Sequence, residues 1–304
     1  METRVIPTLM GLFNLLLVLA AAPLLDGILR KVRARIHSRQ GPPVWQTYYD
    51  LAKLMVKEDQ AAVNNFLFNA APVVCLGSIL LAALFVPMGG VVPLGFAGDG
   101  LVLVYVLAMA PLFMCLGGMA SGSPYAYVGV SREVMLLMVV EPVLAVAVIT
   151  MAIKAHSLVL TNCIDRYASG TPEVSLIICA AAFFLVLQPE VGKVPFDLAE
   201  AEQEIMEGPL VEYSGRKLAL LKWSMYSKQI VLYALLAGGF LPWPKTRWLL
   251  LDVAVALLKI LVIAVLVEVI AQVFPRLKIN QAIRYFGIVI AVALAGLALA
   301  LMGL

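Results

Sequence analysis

An acidic stretch between two long apolar runs holds the densest group of titratable side chains in this sequence. Residues 190–213 read EVGKVPFDLAEAEQEIMEGPLVEY and contain seven of the 19 acidic residues of the chain. Closely spaced carboxylates raise one another's pKa and titrate as a coupled set, so one added charge nearby can redistribute protons among several of them. The chemistry that this stretch predicts is proton exchange near neutral pH.

The local sequence predicts a short helix within this stretch. Pro195 ends any helix that precedes it, and Asp197 can cap a new one. Gly208 and Pro209 then stop that helix. The carboxylates that would share one of its faces are Asp197, Glu200, Glu204 and Glu207. The simpler alternative is a solvated loop that its acids keep wet, but acids crowded at a membrane edge commonly face a water-filled cavity or basic partners.

The composition is that of a membrane protein. Hydrophobic residues make up 62% and charged residues 13% of the chain, and the mean hydropathy is +0.97. In a soluble domain about a quarter of the residues are charged. The net charge of +3 is too small to indicate a nucleic-acid partner. We therefore interpret the sequence as a polytopic membrane protein.

The cysteines and histidines do not form the pattern of a metal site. Cys75, Cys115, Cys163 and Cys179 stand far apart, without a Cys-x-x-Cys pair, and the chain has only two histidines. Iron–sulfur clusters and structural zinc ions need clustered ligands. We therefore predict that this chain holds no metal ion or redox cofactor of its own.

Long apolar runs predict an all-α fold with eight transmembrane helices in a single domain over residues 1–304. A span needs about 20 apolar residues. The runs of that length lie at residues 5–29, 66–88, 100–121, 132–155, 174–190, 216–241, 248–273 and 283–303. The first run has no prominent cleavage site, so we interpret it as a retained span and not as a signal peptide.

The distribution of Lys and Arg predicts the side of the membrane that each connection faces. Most of these residues lie in alternate connections, at residues 30–65, 122–132, 191–217 and 274–284. We therefore predict that these four segments are cytoplasmic, that the acidic stretch lies on the same side, and that both chain termini lie outside.

The first cytoplasmic connection has a basic half and an aromatic half. The basic half contains Arg33, Arg35 and Arg39, and an ordinary positively charged cytoplasmic loop explains most of it. Residues 45–57 mix aromatic and aliphatic residues with charged ones. That composition suits an amphipathic helix that lies in the plane of the membrane interface.

Several charged residues lie inside the predicted spans. Glu133 and Glu141 are eight residues apart on the fourth span, which places them about 80° apart around the helix, so that both can face one cavity. Asp252 and Lys259 are seven residues apart on the seventh span, which also contains Glu268. A charge at the bilayer centre costs on the order of 3 kcal/mol. Structural pairing between helices is one explanation, but for Glu141 and Lys259 we expect a path that exchanges protons.

The acidic stretch also resembles a known family. Residues 193–204, KVPFDLAEAEQE, resemble the loop between the fifth and sixth helices of the membrane anchor subunit of the proton-pumping NADH:quinone oxidoreductase, complex I. Residues 207–215, EGPLVEYSG, resemble more closely the anchor subunit of membrane-bound nickel–iron (NiFe) hydrogenases of the formate hydrogenlyase type. The runs at 41–42 (GP), 50–54 (DLAKL) and 131–133 (SRE) resemble the same family, so the resemblance covers nearly the whole chain.

The resemblance implies that the chain anchors a redox arm in the membrane and passes protons along an acidic funnel. The positions that match the funnel are Glu133, Glu190, Asp197, Glu200, Glu202, Glu204 and Glu212. Together with Glu141, Asp252 and Lys259 from the predicted spans, they make up the predicted proton path. The residues predicted to dock the arm are Arg33, Arg35, Arg39, Asp50 and Lys53.

The partners that the resemblance implies are all components of one complex in the cytoplasmic membrane of a bacterium or archaeon. They are the large and small subunits of a soluble NiFe-hydrogenase, a ferredoxin-like subunit and an antiporter-like membrane subunit. The NiFe centre and the iron–sulfur clusters are expected in these partners. Electrons from formate, carbon monoxide or reduced ferredoxin would reduce protons, and this chain, surrounded by lipid, would couple that reaction to movement of protons or sodium ions.

Two alternative functions remain open at this stage. The first is the quinone-site membrane component of complex I, but that branch has an acid on helix six where this chain reads WSMYSK at residues 223–228, with Lys228 nearby. The second is a stand-alone secondary transporter with an acidic gate. A transporter of that kind commonly shows inverted repeats or interrupted helices, and no internal symmetry is evident in this sequence.

Overall fold

The computed structural model describes residues 2–60, 63–88, 92–95, 98–169, 173–244 and 249–303, and the regular secondary structure within them is all helical. Side chains are described within these ranges except at residues 2–8, 169, 202, 203, 249 and 250. The α-helices are α1 (Glu2–Ile36), α2 (Gln46–Val56), α3 (Phe66–Ala83), α4 (Asp99–Ala120), α5 (Pro124–Ala155), α6 (Leu160–Ser169), α7 (Val174–Glu190), α8 (Glu202–Ile205), α9 (Gly215–Leu235), α10 (Leu249–Val273) and α11 (Ile279–Leu301). A 3-10 turn at Gly208–Leu210 precedes α9, and a π-helical turn at Leu236–Phe240 follows it.

Six of the described helices are long and apolar enough to cross a membrane, which supports a multi-pass membrane protein. They are α1 from Leu9 onward, α3, α4, α5, α10 from Leu251 onward, and α11. The predicted fifth and sixth spans coincide with α7 and α9, which do not meet this criterion. Helix α7 has 17 residues, and α9 carries four basic side chains, Arg216, Lys217, Lys222 and Lys228. The count of eight spans therefore stays a prediction.

Two helices extend beyond their predicted ends. Helix α1 continues to Ile36, so the arginines at positions 30, 33 and 35 lie on a helix and not in a flexible connection. Helix α5 begins at Pro124, a residue type favoured in the first helical turn. Most of the predicted connection at 122–132 is therefore helical. The predicted amphipathic helix is present as α2, although its position at a membrane interface stays a prediction.

The predicted helix capped by Asp197 is wrong. Residues 191–201 form turns and extended segments, and α8, which follows, is only four residues long. The carboxylate of Asp197 accepts a hydrogen bond from Arg276 at 2.7 Å, and Leu277 N–H donates to the Pro195 carbonyl at 3.0 Å. The Asp197 carboxylate, which would have capped the predicted helix, is thus bonded to the segment after α10.

Helix α9 lies at the centre of the fold. Every residue from Gln229 to Ala237 is buried, and α1, α2, α3 and α10 all pack against this helix. The main apolar core runs through the second half of α9 and includes Phe183 of α7, Met151 of α5 and Ile79 of α3. A side chain that points inward from α9 is therefore surrounded by protein.

One glycine allows the acidic stretch to pack closely against α5. Gly208 has a φ of +48°, which is in the left-handed region that glycine adopts readily. A Cβ atom at this position would lie 2.0 Å from the Ala199 carbonyl oxygen and 3.2 Å from Cα of Gly129. Only a residue without a side chain fits here, and this contact holds the stretch that carries Glu200 and Glu207 close to the first turns of α5.

Candidate functional site

A cavity lies where the loop at 191–201 covers the end of α7 and faces residues of α4, α5 and α9. It contains about 590 Å³ of empty space, including its opening to solvent. Its lining combines four carboxylates and one ammonium group with apolar side chains and thiol or thioether sulfur atoms. The charged residues of the lining are Glu133, Glu190, Asp197, Glu200 and Lys228, and the apolar and sulfur-containing ones include Cys75, Pro111, Met114, Phe196, Leu198 and Met225.

The centre of the cavity is an ion pair between Glu190 and Lys228. Lys228 Nζ lies 2.7 Å from Glu190 Oε2, and the two side chains are only 12% (Lys228) and 5% (Glu190) exposed. Glu190 is the last residue of α7, whereas Lys228 lies in the second half of α9. A buried charge without a partner is strongly unfavourable, so each of these side chains compensates the charge of the other.

Two carboxylates of α5 lie beside this pair. Glu133 lines the cavity, and its strongest charged neighbours are Lys228, Glu190 and Asp197. Glu141 lies two turns further along α5, is partly buried, and is close enough to Glu190 and Lys228 to interact with both. Within the part of the chain that the structure describes, neither carboxylate accepts a hydrogen bond or forms an ion pair. Both are therefore available to take up or release a proton.

Glu200 is a partly buried carboxylate in the lining of the cavity. Burial, together with the nearby charges of Asp197, Glu133 and Glu207, raises the pKa of Glu200 to about 8, against the opposite effect of Lys222. Lys222 Nζ itself lies 3.4 Å from Glu207 Oε1. A carboxyl group with this pKa carries a proton at neutral pH and releases it after a small change in the surrounding charge.

The remaining acids of the stretch lie outside the cavity. Glu204 is exposed and accepts a hydrogen bond from Arg132 at 2.8 Å, which lowers its pKa. Glu212 is partly buried and does not line the cavity. The side chain of Glu202 lies outside the described part of the chain. Of the acids predicted in this stretch, the structure brings Glu190, Asp197 and Glu200 together.

Asp252 and Lys259 belong to a different part of the molecule. Both line a second pocket, which contains about 430 Å³ of empty space and shares no lining residue with the first. Lys259 Nζ donates to the Leu241 carbonyl at 2.7 Å. Leu241 lies 13 residues beyond Lys228 in the chain, directly after the π-helical turn that follows α9. The structure therefore does not bring these two residues to the carboxylate cavity.

A second buried charge group was missed by the sequence reasoning. Glu268 of α10 has no exposed surface, and its two carboxylate oxygens accept hydrogen bonds from Arg33 Nε at 2.7 Å and from Lys193 Nζ at 2.5 Å. Gln272 Nε2 also donates to this carboxylate, at 3.0 Å. Burial lowers the pKa of Lys193. The sequence signal was available, because Lys193 follows Glu190 in the same motif and Glu268 interrupts an apolar helix.

Some residues predicted to dock the arm have contacts within the chain in the structure, and others stay exposed. Arg33 turns toward Glu268 and keeps half of its side chain exposed. Asp50 is paired within the chain, because Arg30 Nη1 donates to it at 3.0 Å and Gln46 Nε2 does the same. The side chains that remain exposed are those of Arg35, Arg39 and Lys53.

The described part of the chain contains no group of three or more His, Cys, Asp or Glu side chains placed to hold a metal ion. All four cysteines are buried and unpaired. The Cys75 thiol, in the wall of the cavity, donates to the Ala110 carbonyl at 3.1 Å.

Comparison with known proteins identifies the family. The family model described as NADH dehydrogenase matches residues 9–302. The chain belongs to the NADH dehydrogenase family. Among curated proteins of this family, hydrogenase-4 component C of Escherichia coli (strain K12) is 38% identical over 278 residues, which cover 88% of this chain and 87% of the relative. Formate hydrogenlyase subunit 4 of the same organism is 37% identical over 280 residues, which cover 88% and 91%.

More distant members of the NADH dehydrogenase family include components of complex I. The H-type component of the NADH-quinone oxidoreductase of Anaplasma phagocytophilum (strain HZ) is 31% identical over 262 residues, or 77% of each chain. Among solved structures, a chain of the membrane-bound sulfane sulfur reductase, described as an archaeal respiratory membrane complex, superposes with a TM-score of 0.88 at 27% identity. That match covers 97% of this chain and 99% of the other. The predicted resemblance to hydrogenase anchor subunits and to complex I is confirmed.

Proposed function

We propose that this chain is the membrane-anchor and proton-coupling subunit of a complex I-like, energy-converting hydrogenase. The observation that carries the proposal is the cavity in which Glu133, which has no bonded partner among the described residues, lies beside the buried Glu190–Lys228 pair and beside Glu200. The similarity to a hydrogenase component and to a formate hydrogenlyase subunit supports the hydrogenase assignment. The NiFe centre and iron–sulfur clusters would belong to soluble partner subunits, and this chain would contribute no redox centre.

The geometry supports a relay in which charge in the arm controls protons in the cavity. A unit charge that arrives about 10 Å from a carboxylate changes its energy by ~1.7 kcal/mol at an effective dielectric constant of about 20. That energy corresponds to roughly one pKa unit. Reduction of the arm would therefore raise the pKa of Glu200, which lies at about 8, and hold its proton more tightly, whereas reoxidation would lower the pKa again and favour release of the proton.

In the proposed relay, Lys228 connects the carboxylates of the cavity with one another. Its ammonium group is bonded to Glu190 and interacts with Glu133 and Glu141. A proton that enters at Glu200 alters the balance between these acids, and Lys228 can shift toward whichever carboxylate is ionised. In this proposal the protons continue from Glu141 into an antiporter-like membrane subunit, and Asp252 with Lys259 serves a separate polar region near the other end of α9.

The soluble arm would dock on the exposed basic end of α1 and on α2. Arg35, Arg39 and Lys53 are exposed there, whereas Arg33 and Asp50 are engaged in contacts within the chain. Trp45 and Tyr49 are 58% and 65% exposed on the same segment. Arginine and aromatic side chains are enriched where partner proteins bind.

The alternative function is that of the quinone-site membrane component of complex I. Members of that group are similar to this chain over most of its length. Lys228 favours the hydrogenase assignment, because it stands in the cavity wall near the position where the resemblance to the quinone-reducing branch predicts an acid. The similarity to named components of larger complexes also gives no support to a stand-alone transporter.

The test is a pair of substitutions that keep size and hydrogen-bonding capacity, Glu133→Gln and Glu141→Gln. Hydrogen evolution from a reduced viologen dye would be recorded together with proton movement across sealed membrane vesicles. We expect an assembled complex in which hydrogen evolution persists and proton movement per electron falls severalfold. The control is Glu58→Gln, which changes an exposed carboxylate outside the cavity. A normal proton-to-electron ratio in both variants would refute the relay.

A further inference from the structure

The carboxylate of Glu268 connects two segments that have different roles in the proposed function. One of its partners, Arg33, lies on the same helical end as Arg35, which is exposed for docking. The other partner, Lys193, lies three residues after Glu190 in the loop that covers the cavity. A single fully buried side chain therefore joins the docking surface to the acidic loop.

The loop is held against the end of α10 and the segment after it at three successive points. Lys193 is bonded to Glu268, the Pro195 carbonyl accepts from Leu277 N–H at 3.0 Å, and Asp197 accepts from Arg276 at 2.7 Å. The first point is the innermost of the three, because Glu268 has no exposed surface. The backbone turns sharply beside it, where Lys193 N–H donates to the Gln188 carbonyl at 3.0 Å.

The two cations that share Glu268 are not equally fixed. Lys193 is 9% exposed, whereas Arg33 is 50% exposed and can be reached from outside. An acidic group of a docked partner would draw Arg33 away from Glu268, and the carboxylate would then compensate Lys193 alone. The strength of a buried ion pair depends on every charge that contacts it. The Lys193–Glu268 ion pair therefore changes in strength when Arg33 moves away.

We propose that Glu268 is a positioning residue that transmits attachment of the soluble arm to the loop that covers the cavity. The inference rests on the proposed function for the identity of the arm. Glu268 itself neither carries protons nor touches a reacting atom in this proposal. It determines where the loop lies, and so how Glu190 and Glu200 are placed.

The experiment measures amide hydrogen exchange of residues 192–201 in the purified complex, before and after the arm is stripped with salt. In the wild type we expect exchange of these amides to change on stripping. In Glu268→Gln we expect fast exchange in both states, by more than about tenfold over the intact wild type, since breaking a buried ion pair costs more free energy than one factor of ten represents. Glu268→Asp keeps the charge and should restore part of the response to stripping.

The control is Lys154→Gln, which removes a buried cation from another ion pair, with Glu173 at 2.6 Å, outside the loop at 191–201. It should leave both the exchange of the loop and its response to stripping as in the wild type. If the loop of Glu268→Gln responds to stripping as the wild type does, Glu268 does not transmit attachment and the inference is refuted. If no soluble arm copurifies with the wild type, the proposed function fails instead, and slow loop exchange in Glu268→Gln would still refute the role of Glu268 as the anchor of the loop.

Discussion

The two groups of buried charges on either side of the loop at 191–201 differ in how completely their charges are compensated. In the cavity, Lys228 is the only cation among the described lining residues and is bonded to Glu190, Asp197 is paired with Arg276, and Glu133 has no bonded partner among the described residues. Around Glu268, one carboxylate is shared by two cations. A deficit of positive charge favours proton uptake, whereas a fully compensated carboxylate stays ionised and keeps its position. The first group is therefore suited to change its charge and the second to hold the loop.

The largest expected effect comes from removing the cation that the cavity acids share. Lys228→Met leaves Glu190, which is 5% exposed, without an ionic partner. We expect a loss of about 3–5 kcal/mol in the free energy of unfolding, the usual penalty for breaking a buried pair. Lys193→Met should lower the free energy of unfolding by less, because Glu268 still has Arg33 as an ionic partner. Thermal unfolding of the two purified complexes in the same detergent measures the difference, and an equal loss in both would remove the contrast between the two groups.

A smaller effect is expected from Glu200, and it depends on pH. The pKa of Glu200 is raised from 4.5 to about 8, so the folded protein binds a proton between these values that the unfolded chain has released. The contribution of Glu200 is therefore most favourable below pH 4.5, and it is lost as the pH rises toward 8. Glu200→Gln should remove this dependence and raise the free energy of unfolding above pH 8 by about 2 kcal/mol, a value reduced for partial exposure. Unfolding curves from pH 5 to 9 that are parallel for variant and wild type would contradict the buried position of Glu200.

The smallest effect is expected at the exposed end of α1. Arg35→Glu with Arg39→Glu should weaken attachment of the soluble arm and make it sensitive to salt, although each exposed pair contributes only about 0.2–1 kcal/mol. Hydrogenase activity in membrane pellets washed at increasing salt concentration measures the release. The comparison is Arg33→Gln, which should act on the loop more than on retention of the arm. Retention of activity at every salt concentration in the double variant would exclude docking at this surface.

The sequence predicted the long helices because long apolar runs leave few alternatives. Each predicted run coincides with a helix of the structure, although several ends differ where a polar extension continues the helix or a turn interrupts it. Helix α1 passes its predicted end through Arg30 and Arg33, since their partners Asp26 and Glu268 compensate the charges that suggested a loop. Local propensity could not reveal the contact with Glu268, which lies on a distant helix.

The sequence indicated the carboxylates of the candidate site but not the cations that pair with them. The motif at 193–204 and the spacing of Glu133 indicated which carboxylates matter. Lys228 was noted only as a departure from a related branch, because its partner Glu190 lies 38 positions earlier and no local pattern connects them. The short helix predicted after Asp197 failed for a similar reason, since Arg276 provides a tertiary partner for that carboxylate.

The central position of α9 has a consequence for how the protein is made. Most spans of a membrane protein are apolar enough to enter the lipid one by one during synthesis, but a lysine near the middle of a helix opposes this by about 2.5–3.5 kcal/mol. Lys228 finds its counter-ion on α7, which is synthesised earlier, and the buried half of α9 finds much of its surroundings in α1 and α3. For α9 as a predicted span, we therefore expect insertion to depend on the helices made before it, so that a defect in α7 would first reduce the amount of correctly inserted protein.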